Sequence, residues 1–95
     1  MDVNVRWSDR VPYAAQVMVM CGDRAWLCEV TDLSEGGCGL FRPVDWGLEV
    51  AEIVQLIFFD LPGPAVVVTA RVARVEPGSL GFEYHEPQTV PPART

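Results

Sequence analysis

Ninety-five residues are enough for one domain and no more. Hydrophobic residues make up 49% and charged residues 21%, so the chain can bury a core and is not disordered by composition. Seven arginines, no lysine and 13 acids set the net charge at −6, which excludes a general nucleic-acid binder with its broad basic footprint. A small anionic ligand remains possible, because charges beyond about 10 Å are largely screened and two nearby arginines can dominate locally.

Residues 1–10 form a short polar arm, expected to be flexible, with Arg6 and Arg10 four apart around Trp7, Ser8 and Asp9. Its first five residues lack the basic-then-apolar pattern of a secretion signal. No apolar run reaches the roughly 18 residues needed to span a bilayer. These features lead us to expect a soluble, cytoplasmic chain with no membrane partner.

From Val11 the chain reads as strands rich in Val, Ile, Phe and Trp, and no window of ten or more carries a 3.6-residue period. The first strand is expected over Val11–Met20, with Pro12 near its start, where a missing N–H is tolerable. Cys21-Gly22-Asp23 turns into a second strand over Arg24–Leu33, with Trp26, Cys28 and Val30 on one face and Glu29 and Thr31 on the other. A glycine-rich turn, Glu35-Gly36-Gly37, leads to a short third strand over Cys38–Arg42. An irregular connection, Pro43–Glu49, contains Trp46 and Gly47. The fourth strand covers Ala51–Asp60, the fifth Ala65–Val75 and the sixth Leu80–His85. Pro62-Gly63 and Pro77-Gly78 each suit the centre of a type II turn, since proline presets φ and glycine accepts φ > 0. Residues 86–95 carry three prolines and are expected to be a flexible tail without a substantial helix.

Six strands with regular turns and no helix predict an all-β fold: a small antiparallel barrel, closed or split in the Greek-key manner, over residues 11–85. Closure disposes of exposed sheet edges. The cysteines, Cys21, Cys28 and Cys38, match neither a zinc pattern nor a disulfide framework and read as buried thiols. His85 is the only histidine and has no partners spaced to make a metal site or a general base. No nucleophile, base and orienting group can be assembled, so neither a catalytic site nor a cofactor is expected.

Two stretches carry the chemistry. Asp32 and Ser34 alternate by two, so an extended backbone aims both side chains the same way, one an acceptor and the other a hydroxyl. Gly36 and Gly37 remove bulk and permit φ > 0, so a ligand can approach the backbone. A carboxylate there matches the two adjacent N–H donors of guanine; the plainer reading is an Asx or Ser turn. Arg6 and Arg10 carry planar forks suited to phosphate, or to the O6/N7 edge of guanine. The plainer reading of the arm is a solvated segment with incidental arginines. Trp7 can stack on a base or pack on the barrel rim. Arg74 either faces the barrel mouth beside an anion or pairs with Glu76 or Glu83 on the surface.

Arg6-Trp7-Ser8-Asp9-Arg10 followed by Asp32-Leu33-Ser34-Glu35-Gly36-Gly37 resembles the PilZ domain family of cyclic di-GMP receptors. In that family an RxxxR motif precedes the first strand and a [D/N]xSxxG motif follows. The run Arg10-Val11-Pro12 and the strand Leu80-Gly81-Phe82-Glu83 are also similar to the family. The resemblance implies a six-stranded barrel that binds cyclic di-GMP, as one molecule or an intercalated pair. Arg6 and Arg10 would contact phosphates and guanine, Asp32 and Ser34 a base, with Gly36 and Gly37 permitting the approach. A downstream protein partner is implied, as is the alternative of an interaction adaptor of the same fold that binds no cyclic di-GMP. Many family members add a C-terminal helix, which Pro87, Pro91 and Pro92 rule out here.

Overall fold

The computed structural model describes residues 10–93, so Arg6, Trp7 and the rest of the arm before Arg10 lie outside the described residues. Seven strands form: β1 Val11–Pro12, β2 Gln16–Cys21, β3 Arg24–Leu33, β4 Gly37–Phe41, β5 Ile53–Phe58, β6 Val66–Val75 and β7 Ser79–Tyr84. All pairings are antiparallel. The order β3-β2-β5-β6-β7-β4 returns to β3, closing a six-stranded barrel, and β1 is an extra two-residue strand on the end of β3. The described residues contain no helix, hence none long and apolar enough to cross a membrane.

Alternation drives the closure. On β3, Trp26, Cys28 and Val30 are buried while Ala25, Leu27 and Glu29 are exposed. On β6, Val66, Val68, Ala70 and Val72 point inward. The resulting core includes Leu40, Leu56 and Leu80, each fully buried. Burial of one such side chain is worth about 1.5–3 kcal/mol. The irregular segment after β4 closes one end of the barrel. Trp46 packs against Trp26 at 4.7 Å between ring centroids and edge-on to Phe82 at 6.0 Å.

Three local features depart from the sequence reading. The expected first strand is broken between Pro12 and Gln16, because Tyr13, Ala14 and Ala15 stand opposite only Val30 and Thr31. One extra residue is a bulge, bridged by Tyr13 N donating to Thr31 O (3.3 Å) and Val30 N to Ala15 O (2.8 Å). Pro62-Gly63 makes its turn with Gly63 at φ 90°, as expected. Pro77-Gly78 also sits at the centre of a turn, Glu76 N donating to Ser79 O at 2.9 Å and Ser79 N to Glu76 O at 3.4 Å, but Gly78 lacks the positive φ of a type II turn. The positive-φ glycines among the described residues are Gly22 (64°) and Gly63. Beyond β7 the chain runs back along the glycine-rich turn, Gln88 N donating to Glu35 O at 2.9 Å, and Pro92 is buried.

Candidate ligand groove

Two bulges shape the outer surface near one end of the barrel. The β3–β4 register shifts between Val30 and Asp32, which turns Asp32 outward opposite Gly39. The β6–β7 register shifts between Val72 and Arg74, which sets Arg74 opposite Gly81. Gly39 pairs in turn with Gly81. One outward row therefore reads Arg74, Gly81, Gly39, Asp32: a cation and an anion separated by two strands without side chains.

Both charged side chains lean over the glycines. A Cβ on Gly39 would sit 2.8 Å from Thr31 Oγ1 and 3.0 Å from Asp32 Oδ1. One on Gly81 would sit 2.9 Å from Arg74 Cζ. Glycine inside a strand marks such close approaches. A shallow groove of about 160 Å³ lies beside this row, bounded by Arg10, Ser34, Gly36, Gly37, Arg74, Gly81 and Glu83.

Arg10 joins the two sequence motifs. Its guanidinium pairs with Asp32 Oδ1, and the same carboxylate accepts from Thr31 Oγ1 at 3.1 Å. The pair is solvent-accessible, Arg10 39% and Asp32 29% exposed. Such pairs contribute about 0–1 kcal/mol, so the partners exchange readily for a better one. Arg74 Nε lies 3.4 Å from Glu76 Oε1, so Arg74 both lines the groove and has a surface partner. Arg71 pairs with Glu83, its Nε donating to Oε1 at 2.8 Å.

The turn itself differs from expectation. Asp32 and Ser34 do not aim the same way, because the chain leaves the strand at Leu33. Asp32 faces outward to Arg10, whereas Ser34 is 5% exposed and closes its own loop. Both Ser34 N (2.9 Å) and Ser34 Oγ (3.1 Å) donate to Gly37 O. Neither Gly36 nor Gly37 adopts φ > 0. Gly37 is needed for a steric reason instead: a Cβ there would collide with Phe82 O of β7. Gly36 O accepts from Tyr84 N at 2.8 Å, fastening the turn to β7.

Beneath the groove lie Cys38 and Tyr84. Burial pushes the Cys38 thiol up to about 12, partly offset by the Tyr84 hydroxyl and Arg10. Burial also raises Tyr84. The buried Tyr84 hydroxyl lies beside the thiol but makes no hydrogen bond of normal geometry. Both groups are neutral, protonated floor at ordinary pH. Among the described residues no three His, Cys, Asp or Glu side chains converge to hold a metal.

Sequence reasoning grouped Arg10 with Asp32; in the structure the two side chains are in contact, and Ser34, Gly36 and Gly37 lie beside Arg10 along the groove. It missed Gly39, Gly81 and Glu83. The two glycines left a signal, since each interrupts an otherwise alternating strand.

A family model described as "PilZ domain" matches residues 4–93. Among solved structures, the chain is similar to the PilZ domain of CeSA from a cellulose-synthesizing bacterium. The two share 25% identity at a TM-score of 0.71, over 81% of this chain and 80% of that one. It is also similar to the Bacillus subtilis inhibitor of motility MotI/DgrA, with 16% identity and a TM-score of 0.70, over 86% of this chain and 43% of that one. A Legionella protein, described as uncharacterized, matches at 10% identity and a TM-score of 0.55, over 81% of this chain and 76% of that one. The last two show likeness of fold alone. No curated protein sequence matches the chain.

Proposed function

Because the chain belongs to the PilZ domain family, a family of cyclic di-GMP receptors, we propose that it is a non-catalytic sensor for cyclic di-GMP, read by a partner protein. The observation that carries this reading is the contact between Arg10 and Asp32, one from each motif, at the edge of a glycine-floored groove.

The mechanism is an exchange of partners. Asp32 takes the two adjacent N–H donors of a guanine, and Arg10, released, takes a phosphate or the O6/N7 edge. The ion pair given up contributes about 0–1 kcal/mol. Each charge-assisted bond that replaces it is worth about 1.5–3 kcal/mol. Arg6, four residues ahead, supplies a second fork, and Trp7 a stacking surface. Arg74 offers a cation at the far end of the groove. Ser34 holds the turn, and Gly36 and Gly37 keep its surface low.

A groove of about 160 Å³ covers only part of such a ligand. Pockets that enclose a drug-sized molecule run to about 300–1,000 Å³. The ligand therefore needs residues ahead of Arg10 as its other wall. Binding draws Arg6 onto the barrel and changes the surface that a partner meets, an ordering switch driven by arginine–phosphate pairing.

One observation favours a second reading, an adaptor of the same fold that binds no nucleotide. The cations nearest the groove already have carboxylate partners: Arg10 with Asp32, Arg74 with Glu76, and Arg71 with Glu83. Calorimetric titration with cyclic di-GMP separates the two. The sensor gives saturable binding at micromolar ligand or tighter, weakened at least tenfold in both Arg10→Ala and Asp32→Ala. An adaptor gives no heat of binding up to millimolar ligand.

A further inference from the structure

The chain beyond β7 is fastened to the glycine-rich turn rather than to the barrel wall. Gln88 N donates to Glu35 O at 2.9 Å. Four residues earlier, at the end of β7, Tyr84 N donates to Gly36 O at 2.8 Å. Two successive carbonyls of the turn are thus held by donors of one short segment. Among the described residues, the Gln88 bond is the one hydrogen bond from residues 86–93 to the rest of the chain. A hollow of about 320 Å³, bounded by Val68, Thr69, His85 and Gln88, lies between the segment and β6.

The segment holds its shape with few contacts. Pro87, Pro91 and Pro92 fix φ at three of its positions, so little chain entropy is lost when it docks. Gln88 Nε2 donates to Glu86 O at 3.1 Å and Thr89 Oγ1 to Pro91 O at 2.8 Å. Most of its residues are exposed, but Pro92 is buried and anchors the far end.

We infer that residues 86–93 are a strap that positions the ligand-binding turn, with the Gln88 main chain as its point of contact. The strap's role rests on the groove being the cyclic di-GMP site proposed above. Glu35 and Gly36 lie between β3 and β4, outside any strand, and Gly36 and Gly37 bound the groove. Their position comes from the two bonds above and from Ser34 closing on Gly37. A turn already fixed loses less freedom when a ligand settles against it, so docking of the strap raises affinity. Coupling is reciprocal: a ligand favoured by the docked strap must in turn favour docking. Cyclic di-GMP therefore tightens the Gln88 contact, although Gln88 does not line the groove. Gln88 is a positioning residue and touches no ligand.

Amide exchange and calorimetry on the full chain test the strap with three variants. Gln88→Pro deletes the donor, Gln88→Ala keeps it, and Pro92→Asp places a charge at the buried anchor. All three should keep the wild-type melting curve, because no strand pairing involves residues 86–93. The Ser34 and Tyr84 amides report on the turn, since their acceptors are Gly37 O and Gly36 O. Without ligand, both should exchange about threefold to tenfold faster in Gln88→Pro and Pro92→Asp, and at the wild-type rate in Gln88→Ala. With cyclic di-GMP, the wild-type Gln88 amide should exchange about threefold slower or more, and the two strap variants should bind about threefold to tenfold more weakly. A segment that merely covers surface would leave the Gln88 amide insensitive to ligand. Unchanged exchange at Ser34 and Tyr84 in Gln88→Pro overturns the inference with no ligand present. So does unchanged affinity in both strap variants of a chain that binds. Absence of binding by the wild type overturns the sensor reading instead, and the ligand-free exchange still decides whether the strap holds the turn.

Discussion

Gly37 and Gly81 both sit on strands with no room for a methyl group, for reasons that differ in consequence. At Gly37 the obstacle is backbone, the carbonyl oxygen of Phe82, which cannot move without parting β4 from β7. At Gly81 the obstacle is the tip of the Arg74 side chain. Gly37→Ala should therefore cost about 3 kcal/mol or more by urea denaturation. Gly81→Ala should cost about 1 kcal/mol or less, yet displace Arg74 and weaken cyclic di-GMP binding several-fold by calorimetry. Similar losses of stability in the two would contradict this account. At this scale the sequence made Arg10 and Asp32 legible through the spacing of two motifs. Gly37 was legible too, but for the wrong reason. Its requirement comes from a strand far away in the chain, and no local φ preference reports that. Ser34 was misread because a strict two-residue alternation does not survive the end of a strand.

Strands and bulges differ in how far they can be read. All six barrel strands show in the alternation of Val, Ile, Leu and aromatic residues, as in Val66 to Val72. The bulges at Thr31 and Ala73 leave no mark, since one extra residue changes neither composition nor hydropathy. Yet these bulges aim Asp32 and Arg74 across the glycine floor. The Pro77-Gly78 dipeptide marked a turn correctly but not its type, since Gly78 lacks the positive φ that Gly63 adopts. Amide hydrogen exchange tests this layer. β6, paired over six residues with β5 and over five with β7, should exchange slowest, and β1, two residues paired on one side, fastest among the strands. Cyclic di-GMP should slow exchange at Gly36, Gly37 and the Asp32 end of β3 and leave the Leu27 end unchanged. Protection gained at Leu27 instead would place the ligand on the wrong face.

For the whole molecule, six apolar strand patterns with regular turns and no helical period correctly pointed to an all-β barrel. The contact of Gln88 with Glu35 was not legible, because the two meet only once β7 pairs with β4. The closed interior also fixes a pH dependence. Burial raises Cys28 to about 11 and Cys38 to about 12, against 9.0 for the free thiol. Well below pH 9 both states hold these protons and stability is unaffected. Between pH 9 and 12 the unfolded chain releases them first, so stability falls as pH rises. The urea midpoint should therefore drop between neutral pH and about pH 10, and less so in Cys38→Ala. The central claim remains that one groove, joining Arg10, Asp32 and the Ser34–Gly37 turn, holds cyclic di-GMP. Titration of the isotopically labelled protein with cyclic di-GMP, followed by amide chemical shifts, tests it most directly. The account predicts saturable shifts at Arg10, Asp32, Gly36, Gly37, Gly39, Arg74 and Gly81, with Met18, Leu27 and Ile57 unmoved. Shifts that fall elsewhere on the barrel, or none at millimolar ligand, would contradict it.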